Sequence, residues 1–121
     1  MVSENLKQVK ANIEAACKRA GRDPKEVCLV AVSKTKPISL IEEAIEAGQD
    51  TFGENKVQEM CDKMEVLPDN IKWHMIGHLQ RNKVKYIAGK VELIHSVDSI
   101  RLAKQISDEA QKQSIEIPVL L

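Results

Sequence analysis

The sequence predicts an α/β protein of the (β/α)₈ barrel type. Short runs of apolar, β-branched residues alternate along the chain with segments of helical period, as in successive βα units. This alternation requires a parallel sheet with right-handed crossovers, which an open doubly wound sheet or a barrel can provide. The turn after the first strand, "SKTKPIS", has no glycine and therefore lacks the G-x-G-x-x-G of a dinucleotide-binding sheet. We therefore favour the barrel.

The predicted elements follow from periodicity and from residues that begin and end helices. The first helix ends at Gly21, and the apolar run "VCLVAVS" predicts a strand buried on both faces, with Cys28 in the core. We expect Ser39 with Glu42 to form a capping box, and Asn55 and Asp98 to cap later helices. The predicted helices are 3–21, 39–48, 55–67, 82–88 and 99–113, and the predicted strands are 27–33, 51–53, 72–77 and 92–97, with a fifth apolar stretch after Pro118.

The length of the chain predicts part of a barrel. A complete barrel needs about 200 to 250 residues, whereas this chain has 121 and holds about five of eight strands. We expect residues 1–121 to be the N-terminal portion of a single domain. Open parallel edges in such a portion leave self-association, or pairing with a complementary fragment, as open alternatives.

Composition excludes several classes of function. Lys plus Arg and Asp plus Glu number 18 each, so no net charge favours binding to nucleic acid or to an anionic membrane. No apolar run is long enough for a bilayer span or a signal peptide, which predicts a cytoplasmic protein. The three cysteines are widely spaced, and we expect reduced thiols rather than a zinc site or disulfides.

Lys34 is the strongest candidate for chemistry. In a barrel, binding groups lie at the carboxyl ends of the strands, and Lys34 directly follows the first strand on the same face as Val30 and Val32. Partial desolvation and the nearby positive charge of Lys36 would favour a neutral, nucleophilic amine. Such an amine attacks aldehydes, and pyridoxal phosphate is a common aldehyde cofactor. A solvated lysine at a strand end is the alternative.

Four motifs resemble those of one family. "AVSKTKP", "FGENKVQE", "WHMIGHLQRNK" and "HSVDS" occur in this order over nearly the whole chain, and together they closely resemble the YggS/PROSC family of pyridoxal phosphate homeostasis proteins. The resemblance implies a fold-type III barrel like the N-terminal domain of alanine racemase. It also implies a Schiff base between Lys34 and pyridoxal 5'-phosphate. The implied role is to hold, buffer or deliver the cofactor without dedicated catalysis, in a protein whose intact form is monomeric.

Two further residues are implied to bind the cofactor. Asn55 resembles the family residue beside the cofactor ring, although a helix cap is an equal alternative. His78 lies where it could hydrogen-bond near the cofactor, with an exposed loop histidine as the alternative. Lys56 departs from the tyrosine that many members carry. His74 and His78 straddle a strand end rather than a helix, so we expect no metal site. In the family that these motifs resemble, a serine- and glycine-containing segment near the C-terminus forms the phosphate site. These 121 residues do not contain that segment.

Two other functions stay open. A fold-type III enzyme such as an amino-acid racemase needs a second acid or base on the opposite face of the cofactor, commonly a tyrosine. Tyr86, the only tyrosine, is predicted on the outer layer in the helix after the third strand, which counts against this alternative. The last alternative is a self-associating half-barrel with weakened cofactor binding.

Overall fold

Parallel strands and helices alternate along the chain, as the sequence predicts. The computed structural model describes residues 1–121 and contains a four-stranded parallel sheet in the order β1-β2-β3-β4. The strands are β1 (Ala31–Val32), β2 (Thr51–Glu54), β3 (Lys72–Met75) and β4 (Leu93–Ile94). The helices are α1 (Val2–Ala20), α2 (Ile38–Glu46), α3 (Val57–Val66), α4 (Val84–Ile87) and α5 (Ile100–Gln113), with short 3-10 helices at Pro24–Glu26 and Arg81–Lys83.

Each strand pairs with the next one along the chain, as in the wall of a barrel. Val32 pairs with Gly53, Gly53 with His74, and His74 with Leu93. The fifth apolar stretch continues this order, because Val119 forms a parallel bridge with Ile94. The expected barrel-type arrangement is therefore confirmed for the units that the chain contains.

The core lies between the sheet and the helices. Phe52, Trp73, Met75 and Ile94 are buried in one cluster with apolar residues of α2 to α5. Neighbouring residues of a strand point to opposite faces, so Gly53 and His74 lie on the other face of the sheet. In a closed barrel this second face is the interior.

The first strand departs from the prediction. Only Ala31 and Val32 join the ladder, Cys28 is exposed, and Val32 is 50% exposed, so the expected seven-residue strand buried on both faces is wrong. The reason is that β1 is an edge strand, with β2 as its only neighbour in the sheet, and that Val32, paired with Gly53, lies on the face opposite the core. Propensity alone does not distinguish an edge strand from a central one.

The helix ends agree with the predictions in part. Gly21 ends α1 in the left-handed conformation, with φ of 69°, as expected. The capping box at Ser39 is wrong, because α2 begins at Ile38 after the extended Pro37. The cap at Asp98 is wrong by one residue, since the Ser99 hydroxyl accepts the cap bond of α5 from the Leu102 amide at 3.1 Å. None of the helices combines the length and hydrophobicity that crossing a bilayer requires.

Candidate functional site

Lys34 lies in a tight turn that leaves the carboxyl end of β1. The Lys36 amide donates to the Ser33 carbonyl at 3.1 Å, which closes a β-turn with Lys34 at its second position. Thr35, at the third position, has φ of 61°, as in a type II turn. The Lys34 side chain is exposed, so the expected partial desolvation is not present in these 121 residues.

Asn55 stands at the corresponding position beyond β2. Because Val32 pairs with Gly53, Lys34 and Asn55 are each two residues past a ladder pair, at the same edge of the sheet. Asn55 does not cap α3: the residue before that helix is Lys56, and no side-chain cap bond forms there. The alternative of Asn55 as a helix cap is therefore wrong, which leaves its amide available to a ligand.

Gly77 brings the end of β3 against Asn55. A Cβ built on Gly77 would lie 2.9 Å from Asn55 Cα and 2.9 Å from its Oδ1. Real Cβ atoms do not approach this closely, so a residue without a side chain is required for the two strand ends to meet.

His78 follows Gly77 and faces a cavity that Asn55 shares. The side chain of His78 is exposed, and its Nδ1 lies 3.5 Å from Asp98 Oδ2. A cavity of about 370 Å³ is lined by Asn55, Lys56, Val57, Gln58, His78, Gln80 and Lys83. The structure thus brings two of the three predicted site residues to one cavity, while Lys34 stands at the same sheet edge outside its lining.

A buried ionic network lies behind the Lys34 turn, and sequence reasoning missed it. Lys63 Nζ, on α3, donates to the Ser33 carbonyl at 2.7 Å, to Glu54 Oε2 at 2.8 Å and to Glu59 Oε2 at 2.7 Å. Glu54 also accepts a short hydrogen bond from the Ser33 hydroxyl. Glu59 accepts from the Thr35 amide at 2.6 Å. The sequence does contain one sign of this network, because Glu59 and Lys63 have the i,i+4 spacing of an ion pair on one helix face.

Electrostatics within the network keep Lys63 and Glu59 charged. The hydrogen bond from Lys63, aided by the Thr35 amide, lowers the pKa of Glu59 below its usual 4.5 although burial opposes this. Burial alone would lower the pKa of Lys63, but its hydrogen bonds to Glu54 and Glu59 raise it above 10.5. The ammonium and the Glu59 carboxylate are therefore both ionised throughout the neutral range.

A second pair of polar groups lies on the interior face of the sheet. His74 Nδ1 and His95 Nε2 are 2.8 Å apart, and His74 is 9% exposed. Burial, and after it the charge of His95, lowers the pKa of His74 from its ordinary 6.5. His74 is therefore paired with His95, a residue that the sequence analysis did not single out.

These features define a barrel-type α/β protein with candidate ligand-binding groups at the carboxyl edge of its parallel strands. The chain belongs to the family described as alanine racemase, N-terminal domain, whose model matches residues 5–121. The likeness to the N-terminal domain of alanine racemase, which the sequence motifs implied, is thereby confirmed.

Relatives share about half of their length with this chain. It is 44% identical over 124 residues to the pyridoxal phosphate homeostasis protein of Escherichia coli K12, covering 99% of this chain and 53% of the relative. It is 46% identical over 119 residues to the protein of the same name in Aquifex aeolicus, covering 98% and 52%. The chain thus spans about half the length of the curated relatives it matches.

Solved structures show the same fold. A protein from Bifidobacterium adolescentis superposes with a TM-score of 0.90 at 37% identity, covering 99% of this chain and 53% of that one. PipY of Synechococcus elongatus, described as having PLP bound, superposes with a TM-score of 0.79 at 36% identity, covering 100% and 53%.

Proposed function

We propose that this chain binds pyridoxal 5'-phosphate through the Lys34 amine, as part of a protein of pyridoxal phosphate homeostasis. The observation that carries the proposal is the Ser33–Lys36 turn, which presents an exposed primary amine at the carboxyl edge of the sheet. The names of the relatives, and the PLP in PipY, support the same ligand.

Lys34, Asn55 and His78 offer groups that fit the aldehyde and the ring of this cofactor. An aldehyde cofactor supplies an electrophilic carbon, and Lys34 is the amine that this carbon requires. The amide of Asn55 and the imidazole of His78, which share a cavity, offer hydrogen-bonding groups beside it. We propose that Asn55 and His78 orient the ring, and that residues 1–121 form the N-terminal portion of the cofactor-binding domain.

We infer that the protein holds the cofactor without dedicated catalysis. Supporting this, the relatives are named as homeostasis proteins. A racemase would need a second acid or base, and Tyr86 is 48% exposed on α4, where its ring lies 5.2 Å from Lys85 Nζ. The three free cysteines are in keeping with a cytoplasmic location, which we also propose.

We also propose that a further polypeptide covers the free edge of β1. Val32 is 50% exposed on this edge strand, and unpaired strand edges tend to recruit another strand. Sedimentation of the chain over a range of concentrations tests self-association. A constant monomer mass would direct the search to a complementary segment instead.

Absorbance and trapping test the binding proposal. The chain is mixed with pyridoxal phosphate, its visible spectrum is recorded, and the adduct is reduced with borohydride and mapped by peptide mass spectrometry. Lys34→Ala is expected to abolish the band and the adduct, whereas Lys104→Ala, which removes an exposed amine of α5 outside the turn, should retain both. An equal band in Lys34→Ala would overturn the assignment of Lys34. Alanine racemisation by the loaded protein would contradict the absence of catalysis.

A further inference from the structure

We propose that Lys63, together with Glu54 and Glu59, is a positioning network that sets the direction in which Lys34 leaves the sheet. Lys63 would then act on cofactor binding through the backbone on either side of Lys34, without touching the cofactor. The proposal rests on the proposed function of Lys34 and extends it to residues of the neighbouring strand and helix.

The three acceptors around Lys63 use its full hydrogen-bonding capacity. An ammonium has three N–H donors, and the Ser33 carbonyl, Glu54 and Glu59 lie within 2.7–2.8 Å of Nζ. No donor of Lys63 is left for solvent, and the position of the ammonium is defined by groups on three different segments. One of these segments is the Lys34 turn itself.

The network holds both residues that flank Lys34. On the N-terminal side, the Ser33 carbonyl accepts from Lys63 and the Ser33 hydroxyl donates to Glu54. On the C-terminal side, the Thr35 amide donates to Glu59 at 2.6 Å. Lys34 therefore stands between two clamped peptide groups, while its own side chain stays free.

The conformation of Thr35 explains why a clamp is needed. Its φ of 61° lies in the left-handed region, which is disfavoured for a β-branched residue. The bond from the Thr35 amide to Glu59 compensates for part of this cost and selects this turn over other conformations of the segment. A turn that relaxed would redirect the Lys34 side chain.

Burial separates this network from an ordinary surface ion pair. The side chain of Lys63 is 8% exposed and that of Glu54 is 0% exposed. A buried ion pair that loses one member leaves an uncompensated charge, so the loss of either member is strongly destabilising. The pKa of Glu59 is lowered and that of Lys63 is raised, which keeps both charged at neutral pH.

A purely structural role makes a different prediction. If the network only anchored α3 to β2, the bond from Lys63 on α3 to Glu54 on β2 would suffice, and exchange of the Thr35 amide would not depend on Glu59. Glu59 is the best position for the test, because it reaches the Thr35 amide and its side chain is 26% exposed. Glu65, exposed on the same helix and outside the network, provides the matched control.

The experiment compares Glu59→Ala, Glu59→Gln and Glu65→Ala in the whole chain. Hydrogen exchange of the Thr35 amide, followed by NMR, is expected to accelerate about tenfold in Glu59→Ala because its hydrogen bond is lost. Glu59→Gln retains an acceptor and should lie between Glu59→Ala and the unsubstituted chain. Glu65→Ala should leave the exchange unchanged. The urea midpoint of each variant identifies any general loss of stability.

The second readout is the yield of the borohydride-trapped adduct at Lys34. We expect several-fold less adduct in Glu59→Ala at limiting pyridoxal phosphate, with Glu65→Ala unchanged. Unchanged Thr35 exchange in Glu59→Ala, or accelerated exchange with an undiminished Lys34 adduct, would overturn the proposal. If the unsubstituted chain forms no adduct at Lys34, the proposed function fails, and Thr35 exchange still decides whether the network clamps the turn.

The positioning role of Lys63 is tested in a variant that also removes the charge of Glu54. Lys63→Met alone would leave the buried Glu54 without its cationic partner, and is expected to unfold the chain in part. The double variant Lys63→Met, Glu54→Gln removes both charges. A folded double variant should show fast Thr35 exchange, because Glu59 then loses the ammonium that orients it. Slow exchange in that variant would show that Lys63 has no positioning role.

Discussion

His74 Nδ1 lies 2.8 Å from His95 Nε2 on the interior face of the sheet, so the two rings share one proton between them. Two facing nitrogens at this distance cannot both carry a hydrogen, and at least one ring must present a lone pair. The pair is therefore compatible with two neutral rings or with one charged ring, and double protonation would break the contact.

This relationship predicts a loss of stability at mildly acid pH. Burial and the neighbouring His95 lower the folded-state pKa of His74 from 6.5, so the unfolded chain binds more protons below that pH. The nearby Glu92 opposes the shift but does not cancel it. The free energy of unfolding should therefore be highest above about pH 6.5. It should fall as the pH drops below that value, where His74 takes up a proton in the unfolded chain before it does so in the folded one.

Chemical denaturation at about pH 7.5 and about pH 5.5 measures this effect. His74→Gln, which removes the buried ring, should reduce the difference between the two values. The same pH difference in His74→Gln and in the unsubstituted chain would contradict the interpretation of the pair.

Gly77→Ala is expected to damage the candidate site directly. The added Cβ would lie 2.9 Å from Asn55 Cα and 3.0 Å from its carbonyl oxygen, and backbone atoms cannot move away cheaply. Overpacking of this kind costs about 1–3 kcal/mol. The urea midpoint should fall, and the side-chain amide signals of Asn55 should shift in NMR spectra.

Gly53→Ala is the matched control for that substitution. Its added Cβ would lie 3.0 Å from Val30 Cγ1 and 3.1 Å from two carbons of Ile76, which are side-chain atoms rather than backbone. A smaller loss of stability and unshifted Asn55 signals are expected. An equal effect of the two substitutions would show that the contact with Asn55 is not special.

Cysteine reactivity tests the corrected position of the first strand. Cys28 is exposed, whereas Cys17 is 5% exposed within α1. A thiol-reactive reagent should modify Cys28 at least about tenfold faster than Cys17, because access limits the reaction of a buried thiol. Peptide mapping after partial modification measures both rates. Comparable rates would contradict the exposure of Cys28 before β1.

Local patterns predicted the order of the elements well. Strands β2 and β3 and the Gly21 end of α1 agree with the sequence, because apolar period and the conformation of glycine are local properties. The position of Lys34 at a strand end follows from the same reasoning. The length of β1 and the exposure of Cys28 do not, since they depend on which neighbours the sheet supplies.

Contacts between elements explain what the sequence could not show. Glu59 and Lys63 have the spacing of an ordinary pair on a solvated helix face, and only the packing of α3 on β2 buries Lys63 beside Glu54. The His74–His95 contact likewise depends on the register of β3 with β4, in which His74 pairs with Leu93. Register is a tertiary property that a single sequence does not reveal.

The last prediction concerns the connection of the fifth apolar stretch to the sheet. Ile94 is 0% exposed, its amide donates to the Pro118 carbonyl at 3.1 Å, and its carbonyl accepts from the Leu120 amide at 2.8 Å. Its side chain also belongs to the main apolar cluster, so this residue links the C-terminal stretch to the core.

Ile94→Ala should therefore lower the free energy of unfolding by about 2–5 kcal/mol, because it leaves a cavity beneath the last connection of the sheet. Ile100→Ala makes the same chemical change at a residue that is 87% exposed, and should stay within about 0.5 kcal/mol of the unsubstituted chain. Urea denaturation followed by circular dichroism measures both. Hydrogen exchange of the Leu120 amide should accelerate in Ile94→Ala beyond its global destabilisation if Ile94 anchors the fifth stretch. A loss spread evenly over all amides would mean that Ile94 contributes to the core alone.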